Sequence, residues 1–131
     1  MRCALPVRTF VAIVLASLAL AMPFATVDAR SHAASPPKDV SLAELPPEAR
    51  DVLEHVHTGG PFRYERDGVV FGNREHKLPG KPSGYYHEYT VPTPGARDRG
   101  ARRLVCGGPR KNPHVCYYTG DHYRTFRSIH P

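Results

Sequence analysis

Residues 45–61 read LPPEARDVLEHVHTGGP, and the apolar spacing inside this run decides how the rest of the chain folds. Ala49, Val52, Leu53 and Val56 stand at i, i+3, i+4 and i+7, which makes one apolar stripe on a helix. Pro46 and Pro47 suit a first turn, Glu48 places a carboxylate near the positive helix end, and Gly59 is a terminating residue. A helix with a single apolar face must pack on something. Beyond Thr58-Gly59-Gly60-Pro61 the apolar period shortens from 3.6 towards 2, and strands are expected over 68–71, 85–91, 102–106, 115–118 and around 123–129. Turn signals at Pro79-Gly80, Pro94-Gly95, Gly107-Gly108-Pro109 and Thr119-Gly120-Asp121 separate them. A helix followed by strands with short connections predicts an α+β fold, one N-terminal α-helix packed on a twisted antiparallel β-sheet.

Upstream, the chain reads as a targeting segment over residues 1–29. Arg2 and Arg8 are basic, residues 10–21 are a 12-residue apolar run, and Val27-Asp28-Ala29 supplies small residues before a cut. Such a run is too short to span a bilayer. Residues 30–39, small, polar and Pro-containing, are expected to be a disordered leader, with the folded domain at 40–131. The 131 residues carry 18 Lys and Arg against 12 Asp and Glu. Without residues 1–29 the balance is 16 to 11, or +5 over 102 residues. A multidomain enzyme and a dinucleotide-binding fold are excluded on size. Cys3 leaves with the targeting segment. The remaining pair, Cys106 and Cys116, suggests a disulfide in a secreted chain, the alternative being two independent buried thiols. Metal binding is disfavoured, since no second pair stands at ligand spacing.

Glu88 is the most informative carboxylate, because it interrupts Tyr85-Tyr86-His87-Glu88-Tyr89-Thr90-Val91, a segment of strand-forming residues where a charge is costly. A solvated position on an exposed sheet face is its bland reading. His122, one of eight histidines, follows the turn at Gly120-Asp121. With Glu88 it forms a complementary base and acid for proton transfer near neutral pH. Arg97, Arg99, Arg102 and Arg103 crowd seven residues, suiting phosphate oxygens, or otherwise a solvated turn with a local pair to Asp98. Seven tyrosines in a basic chain favour a polyanion, since aromatic faces stack bases while charge attracts the backbone.

From 45 to 126 the chain resembles the secreted guanyl-specific microbial ribonucleases, the ribonuclease Sa branch of the barnase-like superfamily. The resemblance is carried by Leu45-Pro46-Pro47-Glu48-Ala49, Asp67-Gly68-Val69-Val70-Phe71, Asn73-Arg74-Glu75, the Gly84 to Val91 segment, Thr93-Pro94-Gly95-Ala96-Arg97, Arg99-Gly100, Arg102-Arg103 and Tyr117-Tyr118-Thr119-Gly120-Asp121-His122-Tyr123. So many segments in one order are specific. The resemblance implies that Glu88 is the general base and His122 the general acid, with Arg99 and Arg103 holding the reacting phosphate. It makes Asn73, Arg74 and Glu75 the guanine loop, with Phe71 at its edge and Tyr123 lining the site. Glu75 would accept hydrogen bonds from guanine N1 and N2. Glu88 would take the ribose 2'-OH proton while His122 protonates the leaving 5'-oxygen, and water would then open the 2',3'-cyclic phosphate. Neither step calls for a cofactor or metal.

Three departures from that branch stand out. Its terminal cystine is absent, with Ser41 at the first position, and Cys106 and Cys116 flank a hairpin about three residues longer. Gly72 replaces a glutamine in the guanine loop, and the chain is basic where ribonuclease Sa is acidic, so RNA attraction should be stronger and more salt-sensitive. RNA as substrate, a monomer, no membrane association and an intracellular protein inhibitor of the barnase-inhibitor type are the expected partnerships. A non-catalytic RNA-binding or toxin protein on the same fold is the rival. Glycoside hydrolysis by Glu75 and Glu88 would leave His122 and the arginines idle.

Overall fold

The computed structural model describes residues 35–131. The expected targeting segment and residues 30–34 of the expected leader lie outside the described residues. The elements are β1 (Lys38–Ser41), a 3-10 turn (Leu42–Glu44), α1 (Pro47–Thr58), β2 (Val69–Val70), β3 (Tyr86–Thr90), β4 (Arg103–Gly107), β5 (Val115–Thr119) and β6 (Arg127–His130). They build one sheet in the order β1-β6-β5-β4-β3-β2.

The helix starts behind Pro46, as the double proline suggests, and ends at Gly59, whose φ of 93° is the left-handed terminator that a side chain would strain. Its stripe is buried: Ala49, Leu53 and Val56 pack with Tyr89, Val91, Leu104 and Tyr118 on one sheet face, and Val52 lies partly buried beside them. Since strand side chains alternate, the other face receives Tyr86, Glu88 and Thr90 from β3, Arg103 and Val105 from β4, and Tyr117 and Thr119 from β5. Leu78 and Phe126 close over the apolar members of that second face. Register sets Glu88, Val105 and Tyr117 in one row across β3, β4 and β5, and Thr90, Arg103 and Thr119 in another. The sheet thus separates a helix-covered core from a face that carries charge.

The strands over β2 to β6 pair antiparallel, but β1 pairs parallel to β6, so the sheet is mixed at one edge. Nothing in Lys38-Asp39-Val40-Ser41 signals a strand. Only Val40 is apolar, and it is 1% exposed in the helix-side core. This strand begins at Lys38, reaching two residues into the segment read as leader. It also ties the first described strand to the last: Ser41 stands opposite His130, and His130 Nε2 lies 3.0 Å from Asp39 Oδ1. The last strand is shorter than the 123–129 expected, for residues before Arg127 are held in a turn.

Cys106 and Cys116 face each other directly across β4 and β5 and are bridged, with Cα atoms 4.1 Å apart on the helix side. The bridge closes a 10-residue separation. Replacing both cysteines by serine should cost about 2 to 3 kcal/mol, through a less restricted unfolded chain. Chemical denaturation of the double variant would show it, with no loss of activity under native conditions because both sulfurs lie on the face away from Glu88.

Candidate active site

Glu88 sits in mid-strand on the second face, 7% exposed. A carboxylate so buried needs partners. Tyr123 Oη donates to its Oε2 at 2.7 Å, while Arg99 Nη2 and Arg66 Nε approach Oε1 at 3.8 and 3.9 Å. Burial, then the bond to Glu88, pushes the Tyr123 hydroxyl up to about 12, with Arg103 nearby pulling the other way, so Tyr123 acts as a donor at neutral pH. Arg99 is aimed by two hydrogen bonds from Nε and Nη2 to Thr90 Oγ1, at 3.0 and 2.7 Å. Thr90 in turn is two residues from Glu88 on the same face.

Arg103 is 3% exposed. Its Nη1 donates to the carbonyls of Arg102, Gly100 and Arg99 at 2.7, 2.9 and 3.3 Å, and its buried Nε has no partner. Among the described residues no carboxylate lies within ion-pair distance of it. A buried guanidinium without a counter-charge is a place where an anion is strongly favoured. The loop that supplies those carbonyls turns at Gly100, φ 61°, packed so closely on Thr93 that a Cβ would collide with its hydroxyl.

His122 and Tyr123 are consecutive residues with φ of 56° and 66°. Non-glycine residues seldom hold this conformation unless surroundings impose it. Here Asp121 does so. It accepts from Thr125 N and Oγ1 at 2.9 and 2.6 Å and from Thr119 Oγ1 at 2.9 Å, while Tyr123 N donates to Thr119 Oγ1. The imidazole of His122 is left exposed at the rim, its ring 4.9 Å from that of Tyr123. Burial opposes ionisation of Asp121, yet the Thr125 and Thr119 hydrogen bonds outweigh it and hold the carboxyl at about 2. Because that lies below its ordinary 3.8, the stabilisation is complete above pH 3.8 and disappears as pH falls towards 2. Asp121→Asn should therefore melt below the native protein at pH 6, and the two melting curves should converge between pH 4 and 2.

An open cleft of about 590 Å³ adjoins these groups, lined by residues 70–75, Lys77, Ser83, Glu88, Tyr123 and Phe126. Phe71 stacks on Tyr123 with centroids 5.2 Å apart and meets Phe126 edge-on. Asn73, φ 45°, spends its side-chain amide inside the loop, donating to Leu78 O and accepting from Leu78 N. Arg74 is exposed and lies over Gly72, where a side chain would touch it. The Glu75 side chain is 75% exposed, and its Oε2 pairs with Lys77 Nζ at 2.9 Å, which keeps its carboxyl below the usual range. Lys77 also donates to the carbonyls of Tyr123 and Arg124, so it joins the 73–75 loop to the His122 turn. The structure thus gathers Glu88, Tyr123, Phe71 and the 73–75 loop round the cleft. Arg99, Arg103 and His122 do not line it but adjoin it through Glu88, Thr90 and Tyr123. Lys77 and Asp121 escape sequence reasoning, whereas strand parity alone places Thr90 on the face of Glu88.

A family model described as ribonuclease matches residues 28–130. The chain belongs to the ribonuclease family. It is 57% identical over 90 residues to guanyl-specific ribonuclease Sa of Kitasatospora aureofaciens, spanning 69% of this chain and 91% of that protein. It is 53% identical to guanyl-specific ribonuclease St of Saccharopolyspora erythraea, over 69% of this chain and 85% of the relative. Among solved structures, ribonuclease Sa2 in complexes with mononucleotides superposes with a TM-score of 0.69 at 49% identity, covering 74% of this chain and 97% of that one. Another structure of ribonuclease Sa2 holds guanosine-2'-cyclophosphate and matches with a TM-score of 0.66 at 50% identity.

Proposed function

We propose that this ribonuclease is a secreted endoribonuclease that cleaves single-stranded RNA after guanosine, through a 2',3'-cyclic phosphate that is then hydrolysed to a 3'-phosphate. The observation that carries the chemistry is a buried carboxylate and a buried, carboxylate-free guanidinium on one sheet face, Glu88 and Arg103, beside a cleft with one aromatic wall. Glu88 takes the 2'-OH proton as the oxygen attacks phosphorus, and His122, free at the rim, protonates the departing 5'-oxygen. Arg99 and Arg103 meet the charge that builds on the phosphorane oxygens; both are held in advance, by Thr90 and by backbone carbonyls, so little reorganisation is needed. The acid and base then exchange tasks as water opens the ring.

Guanine stands against Phe71 and Tyr123, with Glu75 accepting from N1 and N2 and loop amides near Asn73 and Arg74 donating to O6. To do so Glu75 turns from, or shares, Lys77. Secretion rests on the basic and apolar character of residues 1–29 and on the Cys106–Cys116 bridge, which needs an oxidising compartment. The arginine cluster at 97–103 suits an acidic protein inhibitor, whose affinity should weaken as salt rises. Digestion of an RNA containing one guanosine tests the function as a whole. One cut, on the 3' side of that nucleotide, is expected; cutting after every base contradicts the base choice, and retention of RNA without any product leaves only a binding protein.

A further inference from the structure

A second groove, of about 490 Å³, continues from the first: Lys77 and Phe126 line both. Its other walls include Lys38, Arg124, Arg127 and Pro37, and no acidic residue lines it. Lys38 and Arg127 occupy paired positions on β1 and β6 and both line the groove, so two like charges share one sheet edge, where an anion is favoured. Glu44 feels the charge of Arg127, but its Oε2 is committed to Ser41 by two hydrogen bonds. Lys77 is occupied by Glu75 and two carbonyls. Lys38 and Arg124, both exposed, have no ion-pair partner among the described residues.

We propose that this groove is a second RNA subsite, in which Lys38, Arg124 and Arg127 take a backbone phosphate of a nucleotide flanking the cleaved guanosine, while Pro37 offers apolar surface to its ribose. The inference rests on the ribonuclease reading above. Its basis is continuity: a strand seated in the first cleft leaves past Lys77 and Phe126 directly into the second. The first cleft alone would treat a dinucleotide and a longer strand alike, whereas a second phosphate contact rewards length.

The test compares kcat/KM for GpU with that for single-guanosine hexanucleotides extended by uridines on the 5' or the 3' side. Lys38→Ala/Arg124→Ala is set against Arg50→Ala/Lys111→Ala, which removes the same charge from exposed positions elsewhere. The native protein should favour one hexanucleotide over GpU by about tenfold or more, with a salt dependence of log kcat/KM steeper by about 0.7 per added phosphate contact. The groove variant should lose most of that advantage and slope, leaving GpU within about twofold, while the control keeps them. Normal GpU cleavage without any length advantage, or an equal loss in the control, overturns the subsite alone. Competition by polyglutamate with no dependence on RNA length would assign the groove to an acidic protein instead. Failure of the native protein to cleave GpU would sink the ribonuclease reading and the subsite with it.

Discussion

Glu88→Gln is expected to lower kcat on GpU by about 10²- to 10⁴-fold, the range that a positioned general base supplies, with KM nearly unchanged. Glutamine has the shape of glutamate and keeps an oxygen for the Tyr123 hydroxyl, so the substitution removes the capacity to take a proton and little else. The fold should persist. Glu88 is 7% exposed and its two arginine neighbours stand beyond hydrogen-bond distance, so its charge is not a main support of the sheet. A melting temperature close to that of the native protein, with activity gone, would separate lost chemistry from lost folding. Undiminished turnover would remove Glu88 from the role of base.

Glu75→Gln should act on the other half of the substrate. A carboxylate accepts both donors of guanine, and each such charge-assisted bond is worth about 1.5 to 3 kcal/mol. A neutral amide can accept only one and sets its own N–H₂ against the second donor, so kcat/KM for guanosine substrates should fall by about 10²- to 10⁴-fold. Against adenine the same amide is no worse, because adenine offers a donor and an acceptor. The ratio of GpU to ApU cleavage should therefore collapse, mainly through the guanosine rate. Glu75 is exposed and its partner Lys77 keeps two carbonyl acceptors, so stability should barely change. An unchanged ratio would move base selection to the loop amides.

The helix and the central strands were legible because each carries its own period. The stripe from Ala49 to Val56 ends at a glycine, and β3 to β5 are dense in tyrosine and valine. By contrast β1 was not legible: four residues with one apolar position make a strand only because Val40 finds the core and β6 lends an edge. The shortened β6 has a similar cause, since the left-handed pair His122 and Tyr123 is imposed by Asp121 and Thr119 rather than by its own preferences. For the site, Glu88 could be singled out because a charge in a strand of aromatics is anomalous. The burial of Arg103 could not, because a run of arginines beside a turn reads as solvated surface. Lys77 has no local signal at all; its importance lies in reaching the His122 turn 46 residues away.

Transphosphorylation by paired side chains leaves a signature on the product ends of RNA cut after guanosine. Phosphorus NMR during digestion of a single-guanosine oligonucleotide should show a 2',3'-cyclic phosphate accumulating on the guanosine, then converting to a 3'-monoester, with no reaction when that nucleotide is 2'-deoxy. A 5'-phosphate product, or cleavage of the deoxy substrate, would rule out attack by the 2'-hydroxyl.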